Sequence, residues 1–264
     1  MNSQISISTL IWIEIIHLVN MQEELQRTAM IYGEKAIEKL DKTHVAIFGI
    51  GGVGGYAAEA LARSGIGHFT LVDHDVVSLS NLNRQIIATH DTIGKSKVEV
   101  MKDRILSINP NAIVETKNVF YTPDNKDDFD FKKYDYVVDA IDTVKSKISL
   151  VLQANLCKTP IISSMGTGNK VNPMGFIVSD ISKTEMDPLA KVMRKELRQL
   201  GINKLKVIYS KEKPIEPVEK IVNSETNKVT PGSNAFVPAA AGLLIASEVV
   251  RDLTNDVARE ELKR

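Results

Sequence analysis

The 264 residues suffice for one large domain or for a domain with a substantial extension, and 43% are apolar, enough for a sizeable core. Lys and Arg (33) balance Asp and Glu (33), so no global field draws the chain to nucleic acid or membrane; a local patch must do so. The single cysteine, Cys157, excludes an internal disulfide, a zinc site of paired C-x-x-C motifs and a two-thiol relay, and it suits a reducing cytoplasm.

Residues 9–19 (TLIWIEIIHLV) are apolar but too short to span a bilayer, carry Glu14 and lack the features of a signal peptide. Residues 1–20 are read as an N-terminal extension. It is either an amphipathic helix packing on a partner or sequence outside the native protein, with Met21 as the working start. The second reading is preferred, since the recognisable pattern begins after Met21.

Next come a buried strand and glycine turn, VAIFGIGGVG (45–54), a helix over Gly55–Arg63, and a second strand, HFTLVD, closing on Asp73. Gly49, Gly51 and Gly54 fit G-x-G-x-x-G, which lets backbone N–H groups approach a phosphate, with the following helix aiming its positive end at the same anion. Asp73 lies 19 residues after Gly54, the spacing of an acid that bonds a ribose hydroxyl. The loop Asp75–Gly94 leads to a helix over Lys97–Ile108, strands at Ala112–Lys117 and Tyr134–Ala140, a helix over Lys145–Leu156, and a strand at Pro160–Ser164. Beyond Met165 the spacing predicts a basic helix from Asp187-Pro188 to Leu200 and a strand at Lys206–Ser210. A mobile loop is expected over Lys211–Ser233 and an Ala-rich helix over Ala235–Leu253, with Pro238 in its first turn.

The alternation implies an α/β fold with a doubly wound, mainly parallel, Rossmann-like sheet. Ligands in such sheets sit beyond the carboxyl ends of the strands, where Gly49, Asp73 and Asp139–Asp142 would converge. The expected division is a nucleotide half over about 43–165, a substrate-facing extension over about 166–253, and a charged tail over 254–264.

The segment DHDVVSLSNLNR supplies Asp73, Asp75, Asn81 and Arg84, and GKSK supplies Lys97. With Asp142 they offer two cations for phosphates, an amide for orientation and carboxylates for a metal. A nicotinamide enzyme has little use for an Arg and a Lys beyond the ribose, whereas an enzyme breaking a triphosphate uses both, with Mg²⁺, to clamp developing charge. Asp142 is the candidate Mg²⁺ ligand, and Thr143 joins the nucleotide-binding set. Each residue has a plainer alternative. Asp73 could cap a turn, Arg84 and Lys97 could be solvated charges, and Asp139 and Asp142 could cap the next helix. Cys157 is read as a core residue, and His68 and His74 receive no role.

GIGGVG, LVDHDVVSLSNLNRQ, GKSK and VVDAID, in this order, resemble the ThiF/MoeB superfamily of ubiquitin-activating-type enzymes. The resemblance implies an adenylation fold with a C-terminal extension, binding of ATP and Mg²⁺, and adenylation of a carboxylate. Carried over by position, it implies that Gly52 and its neighbours face the phosphates and Asp73 the ribose. Asn81, Arg84 and Lys97 would then contact the triphosphate, and Asp142 would serve Mg²⁺.

The segments RTAMIYGEKAIEKL, EALARSGIG, NRQIIATHDTIGKSKVEVM, SSMGTGNKVNP and KTEMDPLAKVMRKELRQ are similar to a narrower branch, the tRNA threonylcarbamoyladenosine dehydratases. That likeness runs from about Arg27 to Leu253. It implies activation by ATP of the carboxylate of N6-threonylcarbamoyladenosine beside the tRNA anticodon, followed by attack from a nitrogen of the same modification and net loss of water. It also implies a homodimer in which Arg27 reaches the partner's nucleotide, and it makes a cysteine desulfurase a candidate partner.

Two departures stand out. The superfamily often begins R-x-x-R, but here Glu24 precedes Arg27, and the zinc cysteines and thiol nucleophile of the sulfur-transfer branches have no counterpart. The runner-up activity is adenylation of the C-terminus of a ubiquitin-like sulfur carrier. A nucleotide-binding scaffold or an NAD oxidoreductase is a third reading, opposed by Arg84 and Lys97. Between Lys183 and Lys213 nine cations face four acids, a local excess of five in a neutral chain. This is a candidate tRNA surface, with a solvated helix face as the alternative.

Overall fold

The structure, a computed structural model, describes residues 23–222 and 229–261, with side chains described as far as residue 257. The expected extension over residues 1–20 lies outside the described residues. Seven strands form one sheet: β1 (His44–Phe48), β2 (His68–Val72), β3 (Ile113–Lys117), β4 (Tyr136–Asp139), β5 (Ile161–Ser164), β6 (Phe176–Asp180) and β7 (Lys206–Ser210). Their order is β3-β2-β1-β4-β5-β7-β6, parallel throughout except for β6, which runs antiparallel to β7 at the edge.

Helices cover both faces, as an all-parallel centre requires. They are α1 (residues 23–32), α2 (Glu34–Asp41), α3 (Gly54–Arg63), α4 (Lys97–Ile108), α5 (Val144–Cys157), α6 (Pro188–Gln199) and α7 (Val237–Glu261). The central strand β1 shows why its sequence is apolar without alternation. Val45 and Ile47 enter the core shared with α3, α4 and α7, while Ala46 and Phe48 enter the opposite core with Leu150 and Ala154 of α5. Full burial of each large side chain here stabilises the fold by roughly 1.5–3 kcal/mol. A third cluster packs Met193 and Leu197 of α6 against Val207 and Tyr209 of β7 and Val151 of α5.

The order reverses between β1 and β4, and the register levels their carboxyl ends: Phe48 pairs with Val72 on one side and with Asp139 on the other. Gly49 N–H continues the ladder to Val72 O at 2.8 Å, and Ala140 N–H continues it to Phe48 O at 2.8 Å. Three chain exits therefore emerge side by side at the switch point, where such sheets hold ligands.

The sequence reading lacks the edge strand β6, whose residues are mostly half-buried, and the helices α1 and α2, the second of which buries Ala36 and Leu40. Helix α7 continues to Glu261, past the end expected at Leu253, with Val257 half-buried one turn further on. Pro238 does lie in its first turn, and Asn234 Oδ1 accepts from the N–H groups of Phe236 and Val237 at 3.0 and 2.9 Å. The described parts of Lys211–Ser233, expected to be a mobile loop, include a bridge between Val222 and Val229 and a hydrogen bond from Ile215 N–H to Asn169 O at 2.8 Å.

Candidate nucleotide site

The turn after β1 builds the floor of a cavity of about 310 Å³. Gly49 adopts φ +92°, and a Cβ there would lie 2.7 Å from Ala140 O; at Gly54 it would lie 1.8 Å from Gly49 O. Those two glycines answer to the protein's own backbone. A Cβ on Gly51 would meet nothing closer than Gln85 Nε2 at 3.9 Å, so the fold does not require glycine there. The space it leaves open belongs to the cavity, which suits close approach by a phosphate.

Asp73 straps this turn to the loop beyond β2. Its Oδ2 accepts from Ile50 N–H at 2.7 Å and its Oδ1 from Asp75 N–H at 2.8 Å. The turn-capping alternative is therefore realised, and the same carboxylate also lines the cavity. Asn81 is buried, and its side-chain oxygen accepts from Ser78 N–H at 3.1 Å, which closes a capping box. Lys97, the first residue of α4, has a side chain only 6% exposed and places Nζ 2.6 Å from Asp75 Oδ2. Arg84 differs: its guanidinium donates to Ser80 O and Asn83 Oδ1, both at 2.9 Å, and has no carboxylate partner among the described residues. Of the two cations that line the cavity, it is the one left uncompensated among the described residues.

At the far wall, Asp142 is exposed and accepts from the Thr143 hydroxyl at 3.3 Å, with no cation beside it among the described residues. Asp139 is fully buried and already committed. Lys147 Nζ donates to its Oδ1 at 3.0 Å and Ser163 to its Oδ2, while Lys147 also holds Ile141 O at 2.9 Å. The pair fixes the backbone that presents Asp142. Sequence reasoning missed Lys147, since a lysine within an apolar helix carries no mark of its partner at the end of the preceding strand.

The cavity thus gathers Gly49, Gly51, Gly52, Asp73, Asp75, Asn81, Arg84, Lys97, Asp142 and Thr143. Gly54 stands beneath it, as backbone packing. Arg27 is exposed on α1 and does not line it. Also unforeseen are an apolar side formed by Val119 and Phe120, and Thr167 and Ser233, which arrive from the C-terminal part of the chain. Val119 and Phe120 follow β3, so the rule that ligands sit at strand carboxyl ends could have flagged them. Burial pushes the neighbouring Tyr121 phenol up, and its hydroxyl lies 3.0 Å from Ser149 Oγ. Cys157 packs, half-buried, against the aromatic cluster that contains Tyr121 and Phe131, and it does not line the cavity.

The candidate tRNA surface is narrower than the residue count suggests. Lys206 is paired with Asp252 at 2.6 Å, Lys211 with Glu185 at 2.7 Å, and Arg194 donates to Thr184 O at 2.8 Å. Lys183, Lys191, Lys195, Arg198, Lys204 and Lys213 remain without a carboxylate partner among the described residues. Among those residues no helix is long and apolar enough to cross a membrane.

The model of the ThiF family matches residues 25–264. A tRNA threonylcarbamoyladenosine dehydratase of Bacillus subtilis is 45% identical over 253 residues, covering 92% of this chain and 98% of the relative. The crystal structure of the Escherichia coli tRNA N6-threonylcarbamoyladenosine dehydratase TcdA with ATP superposes with a TM-score of 0.81 at 36% identity, covering 90% of this chain and 96% of that one. Its AMP complex gives 0.83 at 34% identity, covering 98% of this chain and 100% of that one. A molybdopterin-synthase adenylyltransferase of Haemophilus influenzae is 37% identical over 126 residues, which is 48% of this chain and 51% of that relative.

Proposed function

The chain belongs to the ThiF family, and from that premise we propose that it is an ATP-dependent enzyme removing water from N6-threonylcarbamoyladenosine in tRNA through an acyl-adenylate. One observation carries the reading. The glycine turn and the uncompensated Arg84 share a cavity with Thr167, which belongs to the SSMGTGNKVNP segment similar to the dehydratase branch.

A carboxylate is a poor electrophile because its leaving group is oxide. When the substrate carboxylate attacks the α-phosphorus of ATP, the bond to the β-phosphate oxygen breaks, pyrophosphate leaves, and the acyl carbon gains AMP as a leaving group. Arg84 and Lys97 offset the charge that develops on the phosphate oxygens, and the glycine turn, left open to the cavity at Gly51, brings backbone N–H groups to them. Lys97 would exchange part of its bond to Asp75 for the incoming phosphate. Val119 and Phe120 offer an apolar surface for the base, and Asp73, at the end of β2, is placed for the ribose.

Asp142 fits Mg²⁺: an exposed carboxylate with free lone pairs on the wall of the cavity proposed for the triphosphate. Bound there, Mg²⁺ would neutralise phosphate charge. A nitrogen of the same modification then attacks the acyl carbon, AMP departs, and the ring closes. The step calls for positioning and exclusion of water rather than an enzyme nucleophile, in keeping with a lone Cys157 outside the cavity.

In this reading the chain divides into a nucleotide half over about 43–165 and a tRNA-facing extension over about 166–253. The tRNA backbone rests on the unpaired cations of α6 and its flanks. The protein is a homodimer in which Arg27, which does not line its own cavity, completes the partner's. Incubation with ATP, Mg²⁺ and tRNA carrying the modification should release pyrophosphate, and a ubiquitin-like sulfur carrier should not replace the tRNA. The opposite preference would move the assignment to the sulfur-carrier reading.

A further inference from the structure

The SSMGTGNKVNP segment and α6 meet at an ion pair that nucleotide binding leaves unexplained. Lys170 Nζ lies 2.9 Å from Asp187 Oδ2, and the two side chains are 1% and 0% exposed. Lys170 also donates to Gly166 O at 2.7 Å, and Asp187 Oδ1 accepts from Ala190 N–H at 2.9 Å, which caps α6. Between these residues and the cavity, Asn169 acts as a clasp. Its N–H donates to Gly232 O at 2.8 Å, its Oδ1 accepts from Gly232 N–H at 2.6 Å, and its carbonyl accepts from Ile215 N–H at 2.8 Å. Asn234 Nδ2 adds a bond to Lys170 O at 2.9 Å. The head of the basic helix is thereby tied to the loop segments that place Thr167 and Ser233 on the cavity wall.

A cap alone needs only an Asn or Ser at position 187. A buried ion pair is a weak source of net stability, because desolvation offsets most of the attraction, but it does fix geometry. We propose that the Lys170–Asp187 pair is a positioning device. It holds the Thr167–Ser233 wall against the acyl group when tRNA rests on α6, so that the adenylate is consumed by ring closure and not by water. The inference rests on the dehydratase reading. In ring closure the substrate nitrogen forms a bond to the acyl carbon, the carbon–oxygen bond to AMP breaks, AMP keeps that oxygen, and the nitrogen's proton passes to solvent. In the wasteful branch, water attacks the same carbon, AMP leaves, and the open carboxylate returns.

The experiment measures cyclic nucleoside formed per pyrophosphate released, on modified tRNA with ATP and Mg²⁺, for the full chain and three variants. Asp187→Asn keeps the cap and removes the charge. Gly166→Ala keeps both charges, but its Cβ would lie 3.2 Å from Asp187 Oδ2, so the pair must shift. Lys170→Arg keeps the pair. Asp187→Asn should leave the KM for ATP and the pyrophosphate rate close to those of the parent while the ratio falls about tenfold, the remainder appearing as AMP with open-chain tRNA. Gly166→Ala should show a smaller fall, and Lys170→Arg should stay near the parent. A merely structural role lowers both products together and leaves the ratio unchanged, which overturns the proposal. If Asp187→Asn does not fold, an unchanged ratio in Gly166→Ala overturns it alone. A parent protein that releases no pyrophosphate on this tRNA refutes the dehydratase reading instead.

Discussion

Arg84 is where the proposed chemistry can be separated from the fold. Its guanidinium is held by a carbonyl and an amide oxygen on its own loop and carries an unneutralised charge at the cavity. Arg84→Ala should fold normally and lose adenylation by about two to three decades, roughly 3–4 kcal/mol of transition-state stabilisation, by analogy with removal of an oxyanion-hole donor. Pyrophosphate release at the parent rate from the folded variant would contradict the role. The glycine turn supports a second, internal comparison. Gly51→Ala should keep the melting temperature but weaken ATP binding, because its Cβ fills only cavity space. Gly54→Ala should destabilise the protein by about 3 kcal/mol or more, since its Cβ would overlap Gly49 O and the backbone must move. Thermal unfolding and nucleotide titration of the two variants check both halves. Equal melting temperatures would undo the division of labour between those glycines.

At the scale of elements, the amino ends of the strands carry a pH dependence independent of the site. His44 of β1 stacks on His68 of β2 with ring centroids 3.5 Å apart and is bonded to Thr70 Oγ1 at 2.8 Å. Burial, and then the neighbouring His68, pull its pKa down to about 4, against a smaller upward pull from Glu115 and Asp135. The unfolded chain therefore takes the proton first. This contribution is fully present above pH ~6.5 and is lost as pH falls toward about 4, amounting to on the order of 2–3 kcal/mol. Urea unfolding at pH 7 and pH 4.5 should show that loss in the parent and a smaller one in His44→Gln; equal losses would remove His44 as its source.

The same scale shows what the sequence made legible. The strands from β1 to β5, the turn at Gly49 and the convergence of Asp73 with Asp142 follow from apolar runs and from glycine and acid spacing, which are local signals. Strand β6 stayed hidden because an edge strand of mostly half-buried residues shows no alternation. The commitment of Lys97 to Asp75 and of Lys206 to Asp252 is long-range, and even for Asp139 and Lys147, eight residues apart, charge alone does not reveal the partner. Thr167 and Ser233 reach the cavity by loops closed through Asn169, a contact without a local pattern.

For the whole molecule, the proposed homodimer brings two chains to each site. Arg27 is exposed and does not line its own cavity, and the role proposed for it is in the partner's site. Mixing Arg27→Ala subunits with Arg84→Ala subunits should restore activity in the heterodimer, which keeps one intact composite site, while each parent variant has none. Absence of recovery, with subunit exchange verified, would return Arg27 to an ordinary surface residue.

The central claim, that this cavity serves ring closure on a tRNA-borne carboxylate, is tested most directly by mass spectrometry of nucleosides from N6-threonylcarbamoyladenosine-containing tRNA incubated with the protein, ATP and Mg²⁺. The account predicts conversion to a nucleoside lighter by one water, dependent on ATP and abolished in Arg84→Ala. An unchanged nucleoside, while the same protein releases pyrophosphate with a ubiquitin-like carrier protein, would contradict it.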